Sequence, residues 1–135
     1  MKIEHIGIAV EDLATANALY TTLLGTEPYK EEEVCSEHVL TSFFQAGESK
    51  VELLAATSED SAIAKYLEKR GPGIHHVAFR VDDIKAEMER LSSAGFRLLN
   101  EKPKRGADNM LVCFIHPKSA NGVLVELCQP IEAEE

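Results

Sequence analysis

Two histidines and two glutamates of this chain stand in matched settings. His5 opens HIGIAVEDL and His76 opens HVAFRVDDI, while Glu52 sits in SKVELLA and Glu126 in GVLVELCQ. Two imidazoles and two carboxylates make an N/O donor set that suits a divalent cation with positions left open, such as Co²⁺, Mn²⁺, Ni²⁺ or Zn²⁺. Taken singly, each residue has a dull explanation. A strand histidine is ordinarily a hydrogen-bonded structural residue, and a strand-end glutamate is ordinarily solvated. What singles these four out is that one internal repeat places them all.

The elements that carry them follow from the same repeat. His5 and His76 are 71 residues apart and Glu52 and Glu126 are 74 apart, the difference falling in the longer HPKSANG turn of the second copy. In each copy an aspartate, Asp12 or Asp83, follows the histidine by seven residues and is placed to cap a helix. Leu13, Ala16, Tyr20, Leu23 and Leu24 then have helical spacing, with Gly25 as a stop; Ile84, Met88 and Leu91 repeat this before Gly95. Strand-like material follows in both copies. Each half therefore reads strand, helix, then three strands. We expect a single domain over residues 1–135, with repeats at 1–56 and 73–130 joined by a helical linker at 57–72 that carries Ile63 and Leu67 and closes on Gly-Pro-Gly. The fold class expected is α+β: paired β-α-β-β-β modules forming a cupped mixed sheet, with the helices on its outer face.

Strand alternation assigns the faces. Ile6, Ile8 and Val10 share one side of the first strand and His5, Gly7 and Ala9 the other; Val77, Phe79 and Val81 oppose His76 and Ala78 in the same way. The bulky sets should pack under the helices. The other side presents a histidine followed by small residues, leaving space before the imidazole. Val51 and Leu53 likewise oppose Glu52, and Val125 and Leu127 oppose Glu126. Neighbours on a strand point to opposite faces, so the doublet His75-His76 divides: His76 is the candidate ligand and His75 a structural support at the strand's start.

Charge and composition exclude several classes. The formal net charge is −9, fed by the Glu31–Glu33 run and the EAEE tail, which argues against a nucleic-acid or membrane-surface partner. No apolar run approaches the roughly 20 residues that span a bilayer. The opening MKIEHIGIAV meets Glu11 and Asp12 too soon for a secretory signal, so a cytoplasmic protein is expected. Cys35, Cys113 and Cys128 are odd in number and lack C-x-x-C spacing, against both a disulfide framework and a thiolate zinc site. Cys113 and Cys128 read as small core residues. His38 and His116 show no partner spacing; Lys104 and Arg105 near Gly106 could meet phosphates, but a solvated basic loop is the favoured reading.

At these residues the chain resembles the vicinal-oxygen-chelate superfamily and, within it, the methylmalonyl-CoA epimerase family. The motifs are HIGIAV, SKVELL, SAIAKYLEKRGPGIHHVAFRVDDI and FIHPKSANGVLVELCQ, and the likeness runs from His5 to about Gln129. The resemblance implies a metal held by His5, Glu52, His76 and Glu126, with Co²⁺ as first choice. It also implies an acyl-CoA substrate, methylmalonyl-CoA, and a homodimer. The reaction implied is interconversion of the (R) and (S) forms by α-proton abstraction through a metal-stabilised enolate. Glu126 and, by pseudo-symmetry, Glu52 are the implied acid–base pair. Some members of the family carry a further acid in the third strand; Val39–Ser42 here contains no carboxylate. Lys118 and Ser119 in HPKS are the candidate contacts for the substrate carboxylate or the coenzyme A arm. Glyoxalase I shares the module and the donor types, and the linker and HPKS motifs favour the epimerase over it; a non-catalytic ligand-binding member shares the fold, but such proteins generally lack the metal set, and all four residues are retained here. An extradiol dioxygenase, with two histidines and one carboxylate, fits less well.

Overall fold

The helix boundaries are set by local chemistry. A computed structural model describes residues 1–132; the last three residues of the acidic tail lie outside the described residues. Strand β1 (Lys2–Ala9) leads to helix α1 (Leu13–Leu24). The Asp12 carboxylate accepts from both the backbone N–H and the hydroxyl of Thr15, satisfying donors that the first turn leaves without helical partners. Gly25 closes the helix in the left-handed region, at φ 72°, where a glycine meets no Cβ penalty. Strands β2 (Lys30–Val34), β3 (Val39–Ala46) and β4 (Ser49–Ala56) complete the first module. Helix α2 (Ala62–Arg70), capped by Ser61, leads to β5 (Gly73–Arg80).

The second module repeats the order. Helix α3 (Ile84–Ser93) follows β5, its N-cap Asp83 accepting from Ala86, and β6 (Lys104–Gly106), β7 (Met110–Ile115) and β8 (Val125–Pro130) follow it. Gly95 stands just past the helix, as the sequence indicates, but the capping position itself is Ala94.

Two compact units are distinguished: His5–His75, and Met1–Glu4 with the chain from His76 onward. In the first, the strands run in the order β2-β3-β4-β1, antiparallel except for the parallel β4–β1 pair. In the second the order is β5-β8-β7-β6, again with one parallel pair, β5–β8. Strand for strand, these are the same arrangement.

Each unit buries one sheet face under its helix. Val10, Leu13, Phe44, Leu53 and Ala55 form the α1-side core, with Ile8, Ala16, Tyr20 and Leu24 packed against it. In the second unit Val81, Ile84, Met88, Leu91, Cys113, Ile115 and Leu127 form the α3-side core. Each fully buried Leu or Ile contributes about 1.5–3 kcal/mol of transfer free energy. The cysteine expectation holds: Cys113 and Cys128 are buried and all three cysteines are free thiols. No helix among the described residues is long and apolar enough to cross a membrane.

Candidate active site

The opposite face of each sheet carries the chemistry. In the first unit His5 lies in β1 and Glu52 in β4, with Gly7 directly beside Glu52 in the parallel register. Gly7 and Ala9 leave the histidine's side of β1 without bulky side chains. His5 Nδ1 stands 2.9 Å from Glu52 Oε2. In the second unit Ala78 is the register neighbour of Glu126, and His76 Nε2 stands 3.4 Å from Glu126 Oε1. His5, Glu52, His76 and Glu126 are 4%, 4%, 5% and 6% exposed. Burying an ionised carboxylate is expensive unless it is paired or coordinates a cation. Each pair offers an imidazole nitrogen and a carboxylate oxygen, donor types that suit a divalent metal.

An aromatic ring lies across from each glutamate. Phe43 of β3 is the register partner of Glu52, and Phe114 of β7 that of Glu126. Phe114 meets His76 edge to face, with ring centroids 6.0 Å apart. The third strand carries no carboxylate on this face, as the sequence indicates; its residues there are Val39, Thr41 and Phe43. Glu32 of β2 is the register partner of Thr41 and so belongs to the same face, in an ion pair with Lys30 at 3.3 Å. Sequence reasoning passed over Glu32 because it sits in an acidic run, and only the β2–β3 register separates it from Glu31 and Glu33.

His75 and His76 part company as the alternation requires. His75 packs edge-on against Tyr66 of α2 at 5.1 Å, and burial pushes its imidazole below the usual histidine range. The Tyr66 hydroxyl donates to the carbonyl of Ile74 at 2.7 Å, fixing the helix against the start of β5.

Lys118 and Ser119 fall in a short 3-10 turn, Pro117–Ala120, between β7 and β8. Lys118 is exposed. The Ser119 hydroxyl accepts from the backbone N–H of Arg97 at 2.9 Å, tying the turn to the segment after α3. His116, which the sequence does not single out, builds this turn: its Nδ1 accepts from the Lys118 N–H at 3.0 Å. A histidine directly before Pro-Lys-Ser is a turn signal visible in hindsight.

Residues 4–114 match the family model described as Glyoxalase/Bleomycin resistance protein/Dioxygenase superfamily. The chain belongs to that superfamily. Within it, the chain is 42% identical over 130 residues to an ethylmalonyl-CoA/methylmalonyl-CoA epimerase of Cereibacter sphaeroides, covering 95% of this chain and 97% of that one. The crystal structure of methylmalonyl-CoA epimerase from Mycobacterium tuberculosis superposes with a TM-score of 0.93 at 41% identity, over 97% of this chain and 89% of that one. A methylmalonyl-CoA epimerase solved in complex with methylmalonyl-CoA and NH4+ gives a TM-score of 0.91 at 34% identity, over 99% and 97%. The paired modules are thus the glyoxalase-type fold expected from the sequence.

Proposed function

We infer that this chain is a metal-dependent methylmalonyl-CoA epimerase, interconverting the (R) and (S) forms by removing the α-proton on one face and delivering a proton on the other. The observation that carries this is the buried histidine–glutamate pair repeated at equivalent positions of both modules. The full-length likeness to epimerases supports the choice of substrate.

In this reading His5, Glu52, His76 and Glu126 together hold one divalent cation, with Co²⁺ the first choice and Mn²⁺, Ni²⁺ or Zn²⁺ also suited to the donors. When bound, the cation polarises the thioester carbonyl and lowers the cost of the charge that develops as the α-proton leaves. The rest falls to the side chains. Glu126 takes or returns the proton on one face of the α-carbon, and Glu52 serves the other face. The carboxylate that removes the proton and the one that delivers a proton are different groups, so the delivered proton is one exchanged from solvent between turnovers. Lys118 and Ser119 are the proposed contacts for the substrate carboxylate or coenzyme A arm, the hydroxyl of Ser119 acting from a turn it also pins. We read the chain as one domain of two repeats, acting as a cytoplasmic homodimer.

The test loads the protein with Co²⁺ and incubates it in D₂O with methylmalonyl-CoA and, separately, with the hemithioacetal of methylglyoxal and glutathione. Deuterium entering the α-carbon of the first is expected. Lactoylglutathione formed from the second, with no deuterium in the first, replaces this reading with glyoxalase I. No metal uptake and no turnover replaces it with a binding protein.

A further inference from the structure

A lysine set aside as a solvated loop residue lies on the functional face of the second unit. Lys104 in β6 is opposite Val112, which is opposite Cys128, so it shares the side of the sheet that carries Phe114 and Glu126. Its ammonium stands 5.8 Å from the centroid of the Phe114 ring, within the range of a cation–π contact. That ring is the register partner of Glu126 and packs against His76. The Phe114 ring thus neighbours both the cation and the imidazole.

The backbone under this lysine is held close. A Cβ at Gly106, two residues on, would meet Val112 Cγ1 at 2.9 Å, so β6 approaches β7 more tightly than any other residue type would allow without a shift. The first unit repeats the device. Lys30 is opposite Phe43, its ammonium is 5.1 Å from that ring, and Phe43 is opposite Glu52. There Glu32 completes an ion pair with the lysine at 3.3 Å. Each module thus sets a lysine near the aromatic ring that faces its glutamate, in a chain of net charge −9.

We propose that Lys104 is a substrate-binding cation that receives an anionic oxygen group of the substrate, carboxylate or phosphate, above the ring of Phe114. The proposal rests on the epimerase reading and goes beyond it by naming a charge contact outside the HPKS turn. Stacking on the ring holds the four-carbon stem in place, so less side-chain freedom is lost when the anion arrives.

The experiment compares wild type, Lys104→Met, which keeps the stem and loses the charge, and Lys104→Arg, all loaded with Co²⁺. For methylmalonyl-CoA, Lys104→Met should raise KM by roughly 10- to 100-fold, as expected for one lost hydrogen bond to a charged group, with a much smaller change in kcat. Lys104→Arg should recover most of that KM. Methylmalonyl-pantetheine, which lacks the coenzyme A phosphates, separates the two sources: a penalty that persists assigns the carboxylate, and one that vanishes assigns a phosphate. A KM within twofold of wild type in Lys104→Met overturns the proposal while leaving the epimerase reading intact. So does a fall in kcat alone, the mark of a merely structural lysine. Wild-type protein that binds Co²⁺ yet exchanges no α-proton overturns the epimerase reading itself, and this proposal with it.

Discussion

The first and second modules each hold a histidine, a glutamate and a phenylalanine in the same register and surround them differently. In the first, His5 and Glu52 approach to 2.9 Å, Phe43 is fully buried, and Ala9, Val39, Leu54 and Ile63 form a small core on the histidine's side of the sheet, with Tyr66 and Leu67 of α2 packed against it. In the second, His76 and Glu126 stand 3.4 Å apart, and the only partly buried Phe114 touches the imidazole. Ala78, Met110, Val112 and Cys128 line that face, and among the described residues their cluster includes no helical side chain. Repetition of the backbone is enough to reproduce a donor set. Divergence of the side chains around it is what can give two equivalent carboxylates unequal work.

The sharpest way to break this comparison is to remove the cation. Chelation should reduce α-proton exchange to background, Co²⁺ should restore it, and His5→Ala and His76→Ala should lose metal to a similar extent, as read by metal analysis after dialysis. A variant that keeps full metal content and full exchange would break the equivalence of the two histidines. Next come the glutamates. Glu126→Gln should slow exchange by roughly 10²- to 10⁴-fold with metal retained, the usual weight of a general acid–base group. Glu52→Gln should lose less, because an amide oxygen still serves as a ligand. Wild-type exchange in Glu126→Gln with metal bound would reverse the assignment.

Stability tests sharpen the same comparison. Leu53 and Leu127 follow the two glutamates and are buried under α1 and α3 respectively. Each Leu→Ala change should cost about 2–5 kcal/mol in denaturant unfolding, similar in both modules. Gly106→Ala should cost about 1–3 kcal/mol through Val112 alone. The smallest effect is pH-dependent. The Thr15 hydroxyl and backbone N–H hold the Asp12 carboxyl below its ordinary value of 3.8. A depressed carboxylate contributes stability above the unfolded value and loses it as pH falls through the lower folded value. The difference in thermal midpoint between wild type and Asp12→Ala should therefore be present at neutral pH and shrink toward zero in acid.

Much of this was legible beforehand because strand and helix periods are local. Period-two alternation put His5 with Gly7 and Ala9, and set Glu52 and Glu126 against apolar neighbours; helical spacing and the two aspartate caps placed α1 and α3. Turn and edge residues were less legible. The role of Ser119 depends on Arg97, 22 residues away, and the setting of Lys104 depends on Phe114 in another strand. Neither partner can be named from spacing, because nothing periodic connects them.

By itself the sequence determined which residue types recur, their faces, and the caps that begin each helix, since these follow from backbone geometry over a few residues. Only the tertiary structure decided how close each imidazole comes to its carboxylate, that Glu32 and Lys104 join the functional faces, and that His75 leans on Tyr66. Those outcomes depend on which strands lie side by side and in what register. Pairing between distant segments is settled by burial of the whole sheet, a sum over many side chains that no short stretch of sequence contains.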